Sequence, residues 1–156
     1  MYSKRYLRGQ LAVALGGRVA EELVYGKDEI TTGASNDLQQ VRNIARRMVT
    51  QWGYSKDKLG AVAWETEQGS GGVGPQAASE ERIAEIDQEV KALVADAYKH
   101  CKATLTANRE ILDEMCEMLI EQETLDYKEL LDLVKKYYPD GLGDEPVPLP
   151  AKAALM

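Results

Sequence analysis

The sequence is poor in the residues from which catalytic and metal sites are most often built. Its 156 residues include one histidine, two cysteines and no phenylalanine. An H-E-x-x-H zinc motif needs two histidines, and any Ser-His-Asp triad would have to use His100. His100 lies next to the apolar face of a predicted helix, where we expect a partly exposed surface residue. We therefore expect no complete catalytic site within this chain.

Long apolar runs are also absent. The longest uninterrupted run covers residues 11–15, whereas a membrane-spanning helix needs roughly 18 apolar residues or more. We expect that this chain does not itself cross a bilayer. The two cysteines, Cys101 and Cys116, fall within apolar helical patterns, where a free cysteine commonly acts as a small buried hydrophobe. This placement indicates a reducing compartment rather than a disulfide scaffold.

Positive charge is scarce and unevenly distributed. The net charge is −7, and residues 1–60 hold ten Lys and Arg against six Asp and Glu, which leaves nine against twenty for residues 61–156. Binding of DNA or RNA needs a basic face that neutralises phosphates. The acidic total argues against that partner, so we expect no nucleic acid. The basic cluster Arg42, Arg46 and Arg47 is interpreted as a solvated or interface stripe.

Apolar residues recur at three- and four-residue steps along most of the chain. This periodicity predicts a mainly α fold, a helical bundle of about five helices. The first helix is predicted over residues 4–25 and is ended by Gly26. The second follows the loop at 27–35 and ends before Gly53. The other three are predicted over residues 79–106, from an N-cap at Asn108, and from Asp126 with Glu129 as a capping pair through Val134.

The remaining segments are predicted to be irregular. Residues 54–78 read as loop with one short strand at 60–64, and the glycine-rich stretch near 66–78 predicts a mobile loop. Proline-rich composition predicts a disordered tail over residues 139–156. We therefore expect one helical domain over residues 1–138, followed by that tail.

One glycine motif imitates a nucleotide site. Residues 69–74 read Gly-Ser-Gly-Gly-Val-Gly and match G-x-G-x-x-G letter for letter. A dinucleotide fingerprint needs a strand before it and a helix that opens at its last glycines. Here Pro75 intervenes, and Glu80 and Glu81 at the start of the third helix would repel a phosphate. We interpret the match as accidental and predict no cofactor-binding residue in this chain.

The segment ITTGASND (residues 30–37) precedes the second helix. From residue chemistry alone, Ser35, Asn36 or Asp37 is a helix cap, because such side chains accept hydrogen bonds from first-turn amides. Asp37 is favoured further by the positive end of the helix dipole. On this interpretation the segment has a structural role only.

Three blocks, LGGRVAEELVYG (residues 15–26), ITTGASND (residues 30–37) and ARRMVTQWG (residues 45–53), closely resemble the protease domain of the FtsH family. The resemblance extends from about Ser3 to Leu133 and is looser over the last three helices. It implies that the fold is the C-terminal part of an FtsH-type peptidase M41 domain. Family members are membrane-anchored, ATP-dependent zinc proteases that assemble as hexameric rings, with an AAA+ ATPase domain ahead of the peptidase domain.

The resemblance also implies roles for two acidic residues. Asp37 matches the aspartate that joins two histidines of H-E-x-x-H as a zinc ligand, a set that suits tetrahedral zinc with a water. That histidine motif is absent here, so the zinc site of this chain is incomplete and no catalytic residue is expected in it. Glu21 is a candidate for orienting a zinc histidine through a hydrogen bond. The alternative for Glu21 is a solvated helix face.

Two functional hypotheses remain open. The first is a part of an ATP-dependent zinc metalloendopeptidase that degrades membrane and unfolded proteins, with related subunits of a hexameric ring as partners and ATP bound only in the parent protein. The second is a noncatalytic helical assembly module that binds related protease subunits. The resemblance implies contact with a membrane only through an absent N-terminal region. The compartment implied is a bacterial inner membrane or a chloroplast or mitochondrial membrane.

Overall fold

The computed structural model describes residues 1–55, 59–64 and 80–140. Its five α-helices confirm the mainly α fold: α1 (Lys4–Tyr25), α2 (Ser35–Thr50), α3 (Glu80–Ala107), α4 (Arg109–Gln122) and α5 (Tyr127–Tyr137). Two short 3₁₀ helices, Lys27–Glu29 and Thr32–Ala34, lie between α1 and α2. The chain divides into two compact units, Met1–Cys101 and Lys102–Met156. The loop predicted near 66–78 and nearly all of the predicted tail lie outside the described residues.

Both ends of α1 follow from local chemistry. The side-chain oxygen of Ser3 accepts a hydrogen bond from the Tyr6 backbone N–H at 3.1 Å, which satisfies one of the unpaired amides of the first turn. At the other end Gly26 has φ +89°, a left-handed conformation that strains any residue with a Cβ atom. The predicted bounds of the first helix are confirmed.

The core of the first unit is built between α1 and α2, which pack against each other. The buried side chains of α1 recur every four residues, and α2 contributes a second buried stripe; they are Leu7, Leu11, Leu15 and Val19 of α1 and Val41, Ala45, Met48 and Val49 of α2. Full burial of a leucine or valine side chain stabilises a fold by about 1.5–3 kcal/mol relative to exposure. The apolar spacing of the second helix predicts Leu38 and Trp52 on its buried face, but neither is in this core: Leu38 is 39% exposed, and Trp52 lies beyond the helix end.

Residues 59–64 fold back onto the C-terminal end of α2. The Trp64 backbone N–H donates to the Thr50 carbonyl oxygen at 2.6 Å, and the Trp64 indole N–H donates to the Leu59 carbonyl oxygen at 3.2 Å. Gly53 makes this approach possible, because a Cβ atom there would lie 2.9 Å from the Ala61 Cα. The short strand predicted here is wrong: within the described residues no β-strand forms, since the segment pairs with a helix end rather than with another extended segment.

The long helix α3 contributes Ile86, Leu93, Ala97 and Cys101 to the buried residues. Burial raises the pKa of the Cys101 thiol, as expected for a cysteine that acts as a small hydrophobe. Two expectations are corrected. The apolar spacing of the third helix predicts Ile83 as a core residue, but Ile83 is 45% exposed because it lies in the first turns of α3, at the edge of the core. Cys116, predicted within an apolar pattern, is exposed on α4.

The second unit contains α4 and α5, which pack against each other. The predicted capping box at the start of α5 is confirmed, because the Glu129 N–H donates to Asp126 Oδ1 and the Asp126 N–H donates to Glu129 Oε2, both at 2.8 Å. The predicted N-cap at Asn108 is wrong in its chemistry. The Asn108 side chain donates to the Thr104 carbonyl oxygen at 2.8 Å and accepts from the Tyr138 hydroxyl at 2.5 Å, so it makes no capping bond to α4.

A carboxylate on α4 joins this helix to the end of α5. The Lys136 Nζ lies 2.7 and 2.8 Å from the two oxygens of Glu114, and the Tyr137 hydroxyl donates to Oε2 at 2.7 Å. Hydrogen bonds from Lys136 and Tyr137 hold the pKa of the Glu114 carboxyl below its ordinary value. The Glu114 carboxylate in turn raises the pKa of Lys136 and of Tyr137. These three residues, Glu114, Lys136 and Tyr137, form the Glu114 cluster. The cluster stabilises the packing of α4 against α5 while Glu114 is ionised and its two donors keep their protons.

Truncation of one α1 core residue should destabilise the first unit. Leu11 is 0% exposed, and we expect Leu11→Ala to lower the free energy of unfolding by about 2–5 kcal/mol, because it removes buried methyl groups and leaves a cavity. Both tryptophans of the chain, Trp52 and Trp64, belong to this unit, so their fluorescence during urea unfolding reports its stability. Val13→Ala is the control, since Val13 on the same helix is 75% exposed. An equal loss in both variants would contradict the assignment of the buried face.

The Glu114 cluster should make the second unit sensitive to pH at both extremes. The folded-state pKa of Glu114 is below 4.5, so its contribution is present above about pH 4.5 and is lost as the pH falls through the lowered pKa. The folded-state pKa of Lys136 is above 10.5, so its contribution is present below that pH and is lost as the pH rises further.

We therefore expect Glu114→Gln to lower the thermal midpoint most between about pH 5 and 10, and little outside that window. The difference should shrink with added salt, because the side chain of Lys136 is 61% exposed and the pair is screened. Circular dichroism melting at several pH values measures this. Glu117→Gln on the exposed face of α4 is the matched control, and a pH-independent effect of Glu114→Gln would refute the role given to its charge.

Candidate functional site

The segment ITTGASND leads directly into α2. The 3₁₀ helix Thr32–Ala34 is followed without a break by α2, which begins at Ser35. Asp37 is therefore the third residue of α2 and lies in its first turn. Its side chain is exposed, and no hydrogen-bond or ion-pair partner of its carboxylate is found among the described residues. The start of α2 thus presents a carboxylate to solvent, at the helix end where a negative charge is favoured.

The interpretation of Ser35, Asn36 or Asp37 as a helix cap is wrong. The N-cap of α2 is Ala34, which makes no side-chain capping bond. Ser35 instead donates its hydroxyl to the Thr32 carbonyl oxygen at 2.5 Å. The side-chain cap lies further upstream, because the preceding 3₁₀ helix moves the start of the helical segment to Thr31. The Thr31 Oγ1 accepts a hydrogen bond from the Gly33 N–H at 3.3 Å.

Glu21 on α1 holds this same threonine. Its Oε2 accepts from the Thr31 backbone N–H at 3.0 Å, and its Oε1 accepts from the Thr31 hydroxyl at 2.9 Å. Bonds to an ionised carboxylate are stronger than bonds between neutral groups. Glu21 is half-buried and lies ten residues before Thr31, so it ties the C-terminal part of α1 to the loop that precedes Asp37.

The neighbouring Glu22 has a different partner. Its carboxylate accepts a hydrogen bond from the Tyr98 hydroxyl of α3. The acidic pair of the AEELVYG block therefore separates into two contacts. Glu21 is bound to the loop before α2, whereas Glu22 is bound to α3.

Thr31 is the residue that sequence reasoning missed. The sequence contains a signal for it, since threonine followed two residues later by glycine is typical of a turn in which the hydroxyl binds the backbone. The contact with Glu21 left no such signal. A separation of ten residues across a loop matches neither helical nor strand periodicity.

The described residues do not assemble a metal site by themselves. Within residues 1–55, 59–64 and 80–140, no group of three or more His, Cys, Asp and Glu side chains is placed to hold a metal ion. His100, the one histidine, is exposed on α3. Asp37 fits zinc as a single oxygen ligand, but a catalytic zinc site needs three protein ligands. Asp37 can therefore supply one of the three protein ligands that such a site needs.

None of the helices described for this chain combines the length and the apolar character that crossing a membrane requires.

Comparison of the sequence with known protein families identifies the family of this chain. The profile of peptidase family M41 matches residues 1–133, which is most of the chain. The chain belongs to this peptidase family. The initial resemblance of its three sequence blocks is thereby confirmed.

Several curated relatives are similar in sequence to this chain. One, from Synechocystis sp., is named ATP-dependent zinc metalloprotease FtsH 3 and is 50% identical over 139 residues, which cover 86% of this chain and 22% of the relative. The chloroplastic FTSH 1 of Arabidopsis thaliana is 43% identical, over 85% of this chain and 19% of the relative. An FtsH of Synechococcus sp. is 43% identical, over 95% of this chain and 24% of the relative. The chain thus spans about a fifth of the length of these relatives.

The absence of a metal-binding group among the described residues leads to a prediction for the purified chain. We expect it to retain well below one zinc ion per chain after dialysis and to leave casein intact, because one exposed carboxylate cannot hold the metal alone. Elemental analysis and a casein cleavage assay measure this, with Asp37→Asn as the control that should behave like the unmodified chain. One zinc per chain, together with cleavage that a chelator abolishes, would overturn the single-ligand assignment.

Proposed function

We propose that this chain is part of an ATP-dependent zinc metalloendopeptidase that degrades membrane and unfolded proteins, and that Asp37 is its third protein ligand to zinc. The observation that carries the proposal is the exposed carboxylate of Asp37 in the first turn of α2, which has no partner among the described residues and lies within a segment of peptidase family M41. The relatives are named ATP-dependent zinc metalloproteases, which supports the activity.

The placement of Asp37 suits a ligand. A carboxylate in the first turn of a helix lies at the positive end of the helix dipole, where a negative charge is favoured. Zinc, when bound, polarises carbonyl oxygens and activates water for attack on a peptide bond. The histidine ligands belong to an H-E-x-x-H motif that this sequence, with its single histidine, does not contain. Asp37 therefore acts together with residues outside the 156 of this chain.

Glu21 remains a candidate for orienting a zinc histidine. Its carboxylate already accepts two hydrogen bonds from Thr31. An ionised carboxylate has about four lone-pair positions, so a further donor can be accommodated. Such an added contact would raise the basicity of the histidine and fix its ring.

The partners and the setting follow from the same proposal. Related protease subunits in a hexameric ring and unfolded or membrane proteins as substrates are the partners that we propose. ATP binds a domain of the parent protein outside this chain. The relatives named above are bacterial or chloroplastic, which supports a membrane of one of those kinds, reached through a region outside this chain.

A noncatalytic assembly module is the second candidate. Large apolar side chains of the second unit lie in solvent, with Ile120 of α4 82% exposed and Tyr127 of α5 78% exposed. A contiguous apolar patch that included these residues would mark a surface that another protein covers. If this candidate holds, the chain binds related subunits while Asp37 has no role in metal binding.

The role of Asp37 can be measured in a full-length enzyme. We suggest replacing the matching segment of the Synechocystis relative by residues 1–133 of this chain. Asp37→Asn in that enzyme should lower zinc affinity and casein degradation by at least about 100-fold, because it removes the negative charge of a residue that binds the metal directly. Mutation of groups that only orient the metal ligands already causes losses of about 10–100-fold. ATP hydrolysis and ring assembly should persist.

The control is Asp28→Asn, which neutralises an exposed carboxylate of the preceding 3₁₀ helix. It should leave zinc content and proteolysis unchanged. Normal zinc content and full proteolysis in Asp37→Asn would exclude the ligand role and leave the assembly module as the better candidate.

A further inference from the structure

Thr31 lies at the centre of a short chain of hydrogen bonds between α1 and α2. Its hydroxyl donates to Glu21 Oε1 at 2.9 Å and accepts from the Gly33 N–H at 3.3 Å. Its backbone N–H donates to Glu21 Oε2 at 3.0 Å. One side chain therefore connects the carboxylate of one helix to the turn from which the next helical segment begins.

The helical segment that begins at Thr31 includes Asp37. Because the 3₁₀ helix Thr32–Ala34 continues directly into α2, every residue between Thr31 and the first turn of α2 belongs to a helical element. Ser35 strengthens this continuity by its hydrogen bond to the Thr32 carbonyl oxygen at 2.5 Å. A shift of Thr31 relative to Glu21 would be passed on to the position of Asp37.

We propose that Thr31, held by Glu21, is a positioning residue for Asp37, and that its hydroxyl fixes the start of α2 where the Asp37 carboxylate can meet zinc. This inference rests on the proposed function of Asp37 as a ligand. It gives Glu21 a role through Thr31 that does not require any histidine. Thr31 itself touches neither metal nor substrate in this role.

The physical basis is the double use of one hydroxyl group. A threonine or serine hydroxyl can donate one hydrogen bond and accept others, whereas a valine of the same shape can do neither. Loss of the hydroxyl would leave one oxygen of Glu21 and the N–H of Gly33 without their partners. The loop before α2 would then sample several positions, and Asp37 would meet a metal in the required geometry only part of the time.

The experiment compares three variants with the unmodified sequence. Thr31→Val removes the hydroxyl and keeps the shape, and Thr31→Ser keeps the hydroxyl. Thr32→Val is the matched control, because the hydroxyl of Thr32 has no hydrogen bond within the described residues. Amide hydrogen exchange of Gly33 and of the first turn of α2 is measured on the 156-residue chain. The zinc dissociation constant and casein degradation are measured in the full-length enzyme described above.

We expect Thr31→Val to speed amide exchange at Gly33 and to weaken zinc binding by about 10–100-fold, the range found for groups that orient metal ligands. Thr31→Ser and Thr32→Val should resemble the unmodified protein. Saturating zinc should restore proteolysis in Thr31→Val, because the ligand itself is intact, but not in Asp37→Asn. A general loss of structure would instead lower the tryptophan-monitored unfolding midpoint and would not be reversed by zinc.

Failure of the positioning role of Thr31 and failure of the ligand role of Asp37 give different results. If Thr31→Val binds zinc normally while Asp37→Asn does not, the positioning role is refuted and the ligand role stands. If Asp37→Asn itself keeps normal zinc content, the proposed function is refuted, whatever the exchange at Gly33 shows.

Discussion

The apolar contact between α1 and α2 is the constraint on which the first unit depends. Leu11 and Val19 of α1 and Ala45 and Met48 of α2 are fully buried, and they form the centre of that contact. Once these two helices pack together, the chain has to reverse direction between Tyr25 and the start of α2. The two short 3₁₀ helices make this reversal, and they bring Thr31 back to Glu21. The position of Asp37 thus depends on the packing of core residues that are distant from it in the sequence, such as Leu11 and Val19.

The adjacent residues Glu21 and Glu22 of α1 contact different partners. Successive side chains on an α-helix are rotated by about 100°. Glu21 and Glu22 therefore leave α1 in different directions, one toward Thr31 and the other toward Tyr98. Both carboxylates are satisfied by partners in the first unit, and each fixes a different neighbour of α1. Asp37 differs from both, because its carboxylate points to solvent with no partner among the described residues.

The proposed function takes the zinc ligands from separate segments of the protein. This chain covers 22% of the length of the Synechocystis relative. In that proposal Asp37 contributes an oxygen from the start of a helix, and histidines from another segment complete the set. Hydrogen bonds join α1 to the loop before α2 and to the turn that leads into α2, and they position the helix start that carries Asp37.

The features that the sequence predicted correctly are set by interactions between residues close together in the chain. Gly26 ends α1 because its own backbone angle favours glycine, and Asp126 and Glu129 cap α5 through bonds that span three residues. The blocks around Asp37 also identified the family from their letters alone. Such features depend on neighbours within a turn or two, and these neighbours are visible in the sequence.

Tertiary structure decided what depended on distant partners. Asn108 has the residue type of a helix cap, but Tyr138 competes for its side chain from thirty residues away. Residues 60–64 have the composition of a strand, but the end of α2 binds them instead. Thr31 gained its role only when packing of α1 on α2 brought it to Glu21. The amino-acid sequence by itself determined the helices, their local caps and the family, because short-range bonds set them; the fold decided which polar side chains met, because chain reversal sets those distances.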